Sequence, residues 1–250
     1  MKHAEVRLFT RSGHSLLRGV ERVPLFWVAL WSPTVLARSR AVWELYQQDI
    51  DRYPGGLDEA SEEDQDEFYT GWHPRLNIEI DHGEIARGSE RLHTFVRAHL
   101  PELEPLAVDT MDFISRNLED HGDRLLTEII EFSWEFESPA AMFDELDRLS
   151  AALEPGAVVP EGVIQGVRAD PVGAGVGLAT DARIRPGLSE TSPPYRALLK
   201  QSGQDAPDTR RGWLVAPKNR PLQRSTDIVV LLVGGLFVFM LLSAVLQNLF

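Results

Sequence analysis

Residues 23–50, VPLFWVALWSPTVLARSRAVWELYQQDI, contain two apolar patterns that meet at Ser32-Pro33. The first is an apolar run interrupted by Pro24 that is too short to cross a bilayer, and it indicates a buried core helix. Ser is a preferred N-cap and Pro a preferred first helical residue, so a second helix is predicted to begin at Pro33. Its inward-facing positions recur at helical spacing as far as Ile50, and the PGG sequence that follows ends it.

The segments beyond this stretch favour a mixture of strands and helices. Residues 4–10 (AEVRLFT) and 75–81 (RLNIEID) alternate polar and apolar side chains, which predicts strands. Residues 85–100 and 102–118 each place apolar side chains on one helical face, and Ser138-Pro139 opens a further helix. We therefore expect an α+β fold that is mainly helical with a few strands.

Two finer expectations concern the segment before Ser138-Pro139 and the helix that follows. Residues 125–137, LLTEIIEFSWEFE, match both spacings, and we expect a helix-like start that runs into a strand. In the following helix Asp144 precedes Arg148 by four residues, the spacing of a helical ion pair.

Changes in composition predict four parts of the chain. Residues 1–154 form the acidic α+β domain. Residues 155–192, rich in Gly and Pro, predict a small β-rich or irregular extension, and residues 193–227 a flexible basic stalk. Residues 228–250 are the apolar tail.

The charge of the chain restricts its partners. The formal net charge is −13, and residues 51–154 alone carry 27 Asp and Glu against 8 Lys and Arg, a net −19. Such a surface repels phosphates, so nucleic acid is excluded as a partner, whereas a basic protein would be attracted. The chain has no cysteine, which excludes disulfides, thiolate metal sites and a cysteine nucleophile.

The strongest concentration of charge is an acidic segment within residues 58–67, close to the aromatic Trp72. Its members are Asp58, Glu59, Glu62, Glu63, Asp64, Asp66 and Glu67. A hydrated helix face or loop is the usual structure of such a run. The alternative is a docking patch for a basic partner, with Trp72 in WHP either as an anchor at the interface or as a core side chain.

The apolar tail, IVVLLVGGLFVFMLLSAVLQNLF, has no charged residue. As a helix it would be about 34 Å long, enough to cross a hydrocarbon core of about 30 Å, so a tail-anchored, single-pass transmembrane helix is predicted. A buried core helix is the alternative. The lipid bilayer is then a partner, and Gly234-Gly235 would permit homo-oligomerisation through the span, although GxxxG is absent.

Basic residues precede the tail and predict its orientation. They are Arg210, Arg211, Lys218, Arg220 and Arg224. Because positive residues flanking a span stay on the cytoplasmic side, residues 1–227 are predicted to lie in the cytoplasm at the cell membrane.

Residues with catalytic potential gather in EIDHGEIARGSERLH, a group we call the Glu79–His93 cluster. It contains Glu79, Asp81, His82, Glu84, Glu90 and His93. Carboxylates beside histidines suit acid–base catalysis or a metal site, but HExxH spacing is absent, and a turn with an exposed helix start is the simpler interpretation. GAGVG at residues 173–177 lacks P-loop and GxGxxG spacing and indicates a tight turn or a glycine-bearing strand, and GxSxG is also absent. The sequence therefore predicts no catalytic residue, no metal and no cofactor.

Three stretches carry a resemblance to a known group. They are RLFTRSG at residues 7–13, VPLFWVALWSP at 23–33 and DRLLTEIIEFSWEFES at 123–138. In this order they resemble uncharacterised bacterial proteins suspected as immunity factors of polymorphic toxins, a likeness over about residues 5–150 without a diagnostic motif. It implies an inhibitor-like role and identifies no functional residue. The stalk and tail depart from those mostly soluble proteins.

The sequence thus predicts a non-enzymatic binding module at the membrane, an immunity-like inhibitor or an adaptor. Two other classes stay open: a structural subunit of an envelope or secretion complex that assembles through its span, and a membrane-tethered enzyme that uses the Glu79–His93 cluster.

Overall fold

The strands come from distant parts of the chain and join in one sheet. The computed structural model describes residues 4–53, 56–121, 124–180 and 187–202. The strands are β1 (Glu5–Thr10), β2 (Ser15–Val20), β3 (Ile78–Asp81), β4 (Arg124–Glu128) and β5 (Leu178–Ala179). Their order in the sheet is β3-β4-β1-β2-β5, and all neighbours are antiparallel.

Helices make up most of the remaining regular structure. They are α1 (Leu25–Val28), α2 (Pro33–Ile50), α3 (Glu62–Trp72), α4 (His82–His99), α5 (Glu104–His121), α6 (Ile130–Ser133), α7 (Pro139–Ala152), α8 (Glu161–Ala169), α9 (Leu188–Thr191) and α10 (Pro193–Gln201). Short 3₁₀ turns lie at Leu57–Glu59, His73–Leu76 and Pro101–Leu103, and a π-helical turn at Pro171–Val176. The predicted α+β class, mainly helical with a few strands, is confirmed.

Side-chain alternation gives the sheet one buried face and one charged face. Leu8 of β1 lies opposite Leu17 of β2, and both are fully buried. Arg7, one residue earlier, projects to the other face and forms a salt bridge with Glu128 of β4 at 3.6 Å. The core therefore lies between one face of the sheet and the helices.

The apolar run of residues 23–31 lies in the middle of this core. Only its central part, α1, is helical, but Phe26, Trp27 and Trp31 are all completely buried. The prediction of a buried core segment is confirmed. At the C-terminal end of this short helix, Arg91 of α4 donates to the backbone carbonyls of Val28, Ala29 and Trp31, and so adds partners for carbonyls that lie beyond the helical hydrogen bonds or at their end.

The two predicted serine caps are confirmed. The hydroxyl of Ser32 accepts from the amide of Val35 at 3.3 Å and begins α2, and that of Ser138 accepts from the amide of Ala141 at 3.2 Å and begins α7. Each satisfies one of the free amides at a helix start.

Two of the finer predictions are wrong. Residues 124–133 form a strand followed by a helix, β4 and then α6, the reverse of the predicted order, because the side chains of Leu125 and Thr127 face the core beside β1 and β3. Within α7, Arg148 pairs with Glu145 and not with Asp144, which binds Arg40 of α2 at 2.9 Å.

The boundary predicted after residue 154 does not divide the structure, since the described residues on both sides of it belong to one compact unit. The described residues between 161 and 201 form helices, the π-helical turn and a single two-residue strand, β5, which pairs with β2. The GAGVG sequence lies in the turn and its exit. Residues 193–201, predicted as the start of a stalk, are the helix α10.

Buried hydrogen bonds explain why this C-terminal part joins the core. The hydroxyl of Tyr195, which is completely buried, donates to the carbonyl of Gly177 at 2.8 Å and accepts from the amide of Ala179 at 2.9 Å. Burial raises the pKa of Tyr195 to about 12. The hydroxyl of Ser192 donates to Asp109 of α5 at 2.6 Å.

Within the described ranges, no helix has the length and apolar character needed to cross a membrane. The predicted span, its basic flank and the rest of the predicted stalk lie outside the described residues.

Candidate functional site

The acidic segment folds into a 3₁₀ turn and the first part of α3. The hydroxyl of Ser61 accepts from the amide of Asp64 at 3.1 Å and caps the helix. Glu62, Glu63 and Asp64 occupy the first turn, where their charge favours the positive end of the helix dipole. All seven carboxylates of the segment are exposed.

These carboxylates lack salt-bridge partners within the described part of the chain. None of the seven takes part in a salt bridge there, whereas twelve ion-pair contacts join Arg to Asp or Glu elsewhere. An uncompensated group of exposed carboxylates attracts a basic partner over a distance set by the ionic strength.

Aromatic side chains fix α3 against the rest of the protein. Phe68 is 9% exposed and Trp72 is 7% exposed. The ring of Tyr46 on α2 lies 5.7 Å from each of them, and the ring of Tyr53 lies 5.5 Å from Phe68. The carboxylates are therefore displayed on a helix that is held by core contacts.

A groove of about 360 Å³ lies beside α3, and we call it the aromatic groove. It is lined by Tyr53, Asp64, Glu67, Phe68, Gly71, Trp72 and Arg75. Five of these seven belong to α3 and are spaced i, i+3, i+4, i+7 and i+8, which places them on one face of the helix. The groove thus combines an aromatic wall with two carboxylates.

Arg75 covers part of the aromatic wall. Its guanidinium carbon lies 4.2 Å from the centre of the Trp72 ring, within the range of a cation–π contact. Arg75 forms no salt bridge within the described residues, although Asp64 and Glu67 line the same groove.

The phenols near the groove add no negative charge at neutral pH. Burial raises the pKa of Tyr46 to about 12. Burial, together with the negative charge of Asp58, also raises the pKa of Tyr69. The electrostatic character of this surface therefore comes from the carboxylates.

Trp72 lies at the base of the docking patch that the sequence predicts. Its indole is buried, so it supports α3, and the face turned to the groove is the part covered by Arg75. Of the two roles that the sequence allows for Trp72, the structure shows the core side chain, and the anchor at an interface stays a prediction.

Three of the four carboxylates of the Glu79–His93 cluster have structural roles, and Glu90 forms no salt bridge within the described residues. Glu79 pairs with Arg124 of the neighbouring strand. Asp81 caps α4 by accepting from the amide of Glu84 at 2.8 Å, a bond that lowers the pKa of Asp81. Glu84 itself pairs with Arg87 at 2.8 Å.

The histidines of the cluster are too far apart to act together. His82 begins α4 and His93 lies eleven residues later, which corresponds to about 16 Å along the helix axis. In the part of the chain that the structure describes, no group of three or more His, Asp or Glu is arranged to hold a metal ion. The structure does not bring this cluster together as a site.

A second cavity, of about 280 Å³, lies between α4 and the segment after α1. Its central residue is Arg91, which binds Glu154 at 2.7 Å and Ser150 at 3.2 Å besides the three carbonyls described above. Its basic side chains are already paired, so the cavity belongs to the contacts that hold the core segment.

Sequence patterns did not identify Arg75 or Arg91. Arg91 recurs at helical spacing with Arg87 in α4, which is the ordinary pattern of an exposed helix face. Arg75 follows Trp72 by three residues, and this spacing of an aromatic and an arginine is the one signal that could have indicated the stacked pair.

No protein-family model matches this chain, and no curated protein or solved structure matches it either.

Proposed function

We propose that this protein is a non-enzymatic binding module that docks a basic protein partner on the surface of α3 and is anchored to the membrane by residues 228–250. The observation that carries the proposal is the concentration of seven exposed carboxylates within ten residues, none of which forms a salt bridge in the described part of the chain, whereas eleven carboxylates on other parts of it pair with Arg. An inhibitor or an adaptor would both use such a surface.

The physical reason for docking at α3 is the combination of charge and rigidity. Exposed carboxylates raise the rate at which a basic partner is encountered. Helix α3 is held by Phe68 and Trp72, so little conformational entropy is lost when a partner orders this surface.

The docking surface is tested with the partner that co-purifies with the full-length protein in mild detergent. The variant replaces Glu62, Glu63, Asp64, Asp66 and Glu67 by the corresponding amides, which keeps side-chain size and removes five charges. We expect the association rate at about 10 mM salt to fall roughly tenfold, and the dependence of the rate on salt to become weaker.

A matched control removes five charges from exposed carboxylates on other elements, at Glu44, Asp112, Glu119, Glu135 and Glu137. This control should change the rate much less. Equal association rates for wild type and the α3 variant, at low and at high salt, would mean that the acidic segment is only hydrated surface.

The proposed anchor is tested separately. The full-length protein should stay in the membrane pellet at alkaline carbonate, and truncation after Arg224 should release it, because about twenty apolar residues are then no longer held in lipid. A protease outside intact cells should leave residues 1–227 undigested. Full-length protein in the carbonate supernatant would contradict the anchor, and digestion would contradict the orientation.

A further inference from the structure

The aromatic groove contains a guanidinium group of the protein itself. Arg75 lies over the Trp72 ring at 4.2 Å instead of pairing with a carboxylate of the described residues. A planar guanidinium stacks on an aromatic face while its N–H groups remain free to bind oxygen at the ring edge. Arg75 therefore shows which chemical group the wall of the groove accommodates.

The groove also provides acceptors and open space for a second guanidinium. Asp64 and Glu67 lie one turn apart on the face of α3 that lines the groove. A Cβ added to Gly71 would meet no atom within 4 Å, so the part of the groove between these carboxylates and Trp72 is open.

These features favour arginine over lysine. Arginine can stack on the ring and donate to carboxylates in the same pose, whereas an ammonium group is more strongly hydrated and makes no planar stack. A site that offered only negative charge would bind the two residues about equally.

We propose that the aromatic groove is a subsite for one arginine side chain of the basic partner, and that Arg75 occupies the Trp72 face until this arginine replaces it. This inference rests on the proposed function, because it identifies the side chain that the docking surface recognises. Charge complementarity with the carboxylates on the rim selects a basic segment, and the aromatic wall selects arginine within it.

The test uses the full-length protein in mild detergent and two labelled peptides of equal charge. One peptide has three arginines that alternate with glycine, and the other has three lysines in the same positions. Fluorescence anisotropy measures the dissociation constant of each peptide. We expect the arginine peptide to bind about three- to tenfold more tightly than the lysine peptide.

Gly71→Leu fills the groove without removing a charge or a ring. It should weaken the binding of the arginine peptide about fivefold or more, so that its dissociation constant approaches that of the lysine peptide. The matched control is Gly162→Leu on α8, another exposed helical glycine with open space around it, which should leave both peptides unchanged. Since leucine is a better helix former than glycine, neither variant should unfold its helix.

Arg75→Lys keeps the charge and removes the planar stack. If Arg75 competes for the Trp72 face, the arginine peptide should bind about threefold more tightly and the lysine peptide should change little. Weaker binding of the arginine peptide would mean that Arg75 contacts the ligand, and unchanged binding would mean that only charge matters; either result overturns the inference.

The five-amide variant of α3 separates this inference from the proposed function. In one outcome the two peptides bind equally and the amide variant weakens the binding of both. In another, neither peptide binds, but binding of the natural partner still depends on α3. Either outcome contradicts the arginine subsite and leaves the proposed docking surface in place. If the amide variant changes neither the peptides nor the partner, the docking surface itself is wrong.

Discussion

Helices α3 and α7 both begin at a serine N-cap and both carry several carboxylates, but among the described residues only those of α7 have salt-bridge partners. Asp144 and Asp147 of α7 bind Arg40 of α2 at 2.9 and 2.7 Å, and Glu145 binds Arg148 at 2.6 Å. The five carboxylates of α3 form no salt bridge within the described residues. The number of acidic residues in a helix thus does not predict whether they are paired in the fold.

Arg40 shows how closely α7 is joined to α2. Its guanidinium also lies 5.6 Å from the centre of the Phe143 ring. Burial opposes the charge of Arg40, but hydrogen bonds and attraction from Asp144 and Asp147 outweigh this effect and raise the pKa of Arg40. In α7 the carboxylates therefore serve the contact between two helices, whereas in α3 they face solvent.

The largest expected difference between the two helices lies in their aromatic contacts. Phe143 of α7 is completely buried beside Trp43, and Phe68 of α3 is 9% exposed near the groove. Phe143→Ala should lower the free energy of unfolding by about 3–5 kcal/mol. Phe68→Ala should cost less, about 2 kcal/mol, because the groove lets neighbouring side chains or water fill the space.

Urea unfolding of the full-length protein in mild detergent, followed by far-UV circular dichroism, measures both effects. Phe143→Leu and Phe68→Leu are the matched controls and should each recover part of the loss. An equal cost at the two positions would mean that α3 belongs to the core as fully as α7 does.

A smaller effect is expected when the carboxylates of α7 lose their partner. Arg40→Met keeps an apolar side chain over Phe143 but leaves Asp144 and Asp147 unpaired. The side chain of Arg40 is 26% exposed and its partners are more so, so screening by solvent limits the loss to about 1 kcal/mol.

Arg148→Met, the control, removes only an exposed pair within the helix and should cost below about 0.5 kcal/mol. The same unfolding measurement, at low and at high salt, compares the free energies of unfolding of Arg40→Met and Arg148→Met. If the two variants are equally stable, the Arg40 contact adds nothing beyond an ordinary surface pair.

Local signals in the sequence were sufficient for much of the fold. The caps at Ser32 and Ser138 and the alternation in β1 depend on neighbouring residues, and they appear as predicted. The order of β4 and α6 could not be found this way, because residues 125–137 fit both periods and the neighbouring strands β1 and β3 decide between them.

Long-range contacts explain the errors in the C-terminal part. Tyr195 was predicted to belong to a stalk, yet its hydroxyl is bound to the backbone at Gly177 and Ala179, and Ser192 binds Asp109 from another helix. The candidate site shows the same limit. The acidic segment is visible in the sequence, but its groove, and its lack of salt-bridge partners among the described residues, depend on how α2, α3 and the turn after α3 come together.

The smallest expected effect is the change in stability when two carboxylates of a helix are replaced by amides, and it should have opposite signs in α3 and α7. In α3, Asp66 and Glu67 stand three or four residues after Glu62, Glu63 and Asp64, which makes four like-charge pairs at helical contact spacing. Asp66→Asn with Glu67→Gln removes all four pairs and leaves the three carboxylates that favour the helix dipole. Each pair costs about 0.2–0.5 kcal/mol, and screening at an exposed surface leaves a net gain in stability of about 0.5 kcal/mol at low salt.

In α7 the matched double variant is Asp144→Asn with Asp147→Asn. Its amide oxygens still accept from Arg40, so it should lose only about 0.5 kcal/mol, and this loss should shrink as salt is added. Unfolding free energies of both double variants at about 10 mM and 1 M salt test the opposite signs. A loss of stability in the α3 variant would show that a basic group outside the described residues already neutralises these carboxylates. A gain would mean that α3 keeps a destabilising concentration of charge, as expected of a surface that is completed only when a basic partner binds.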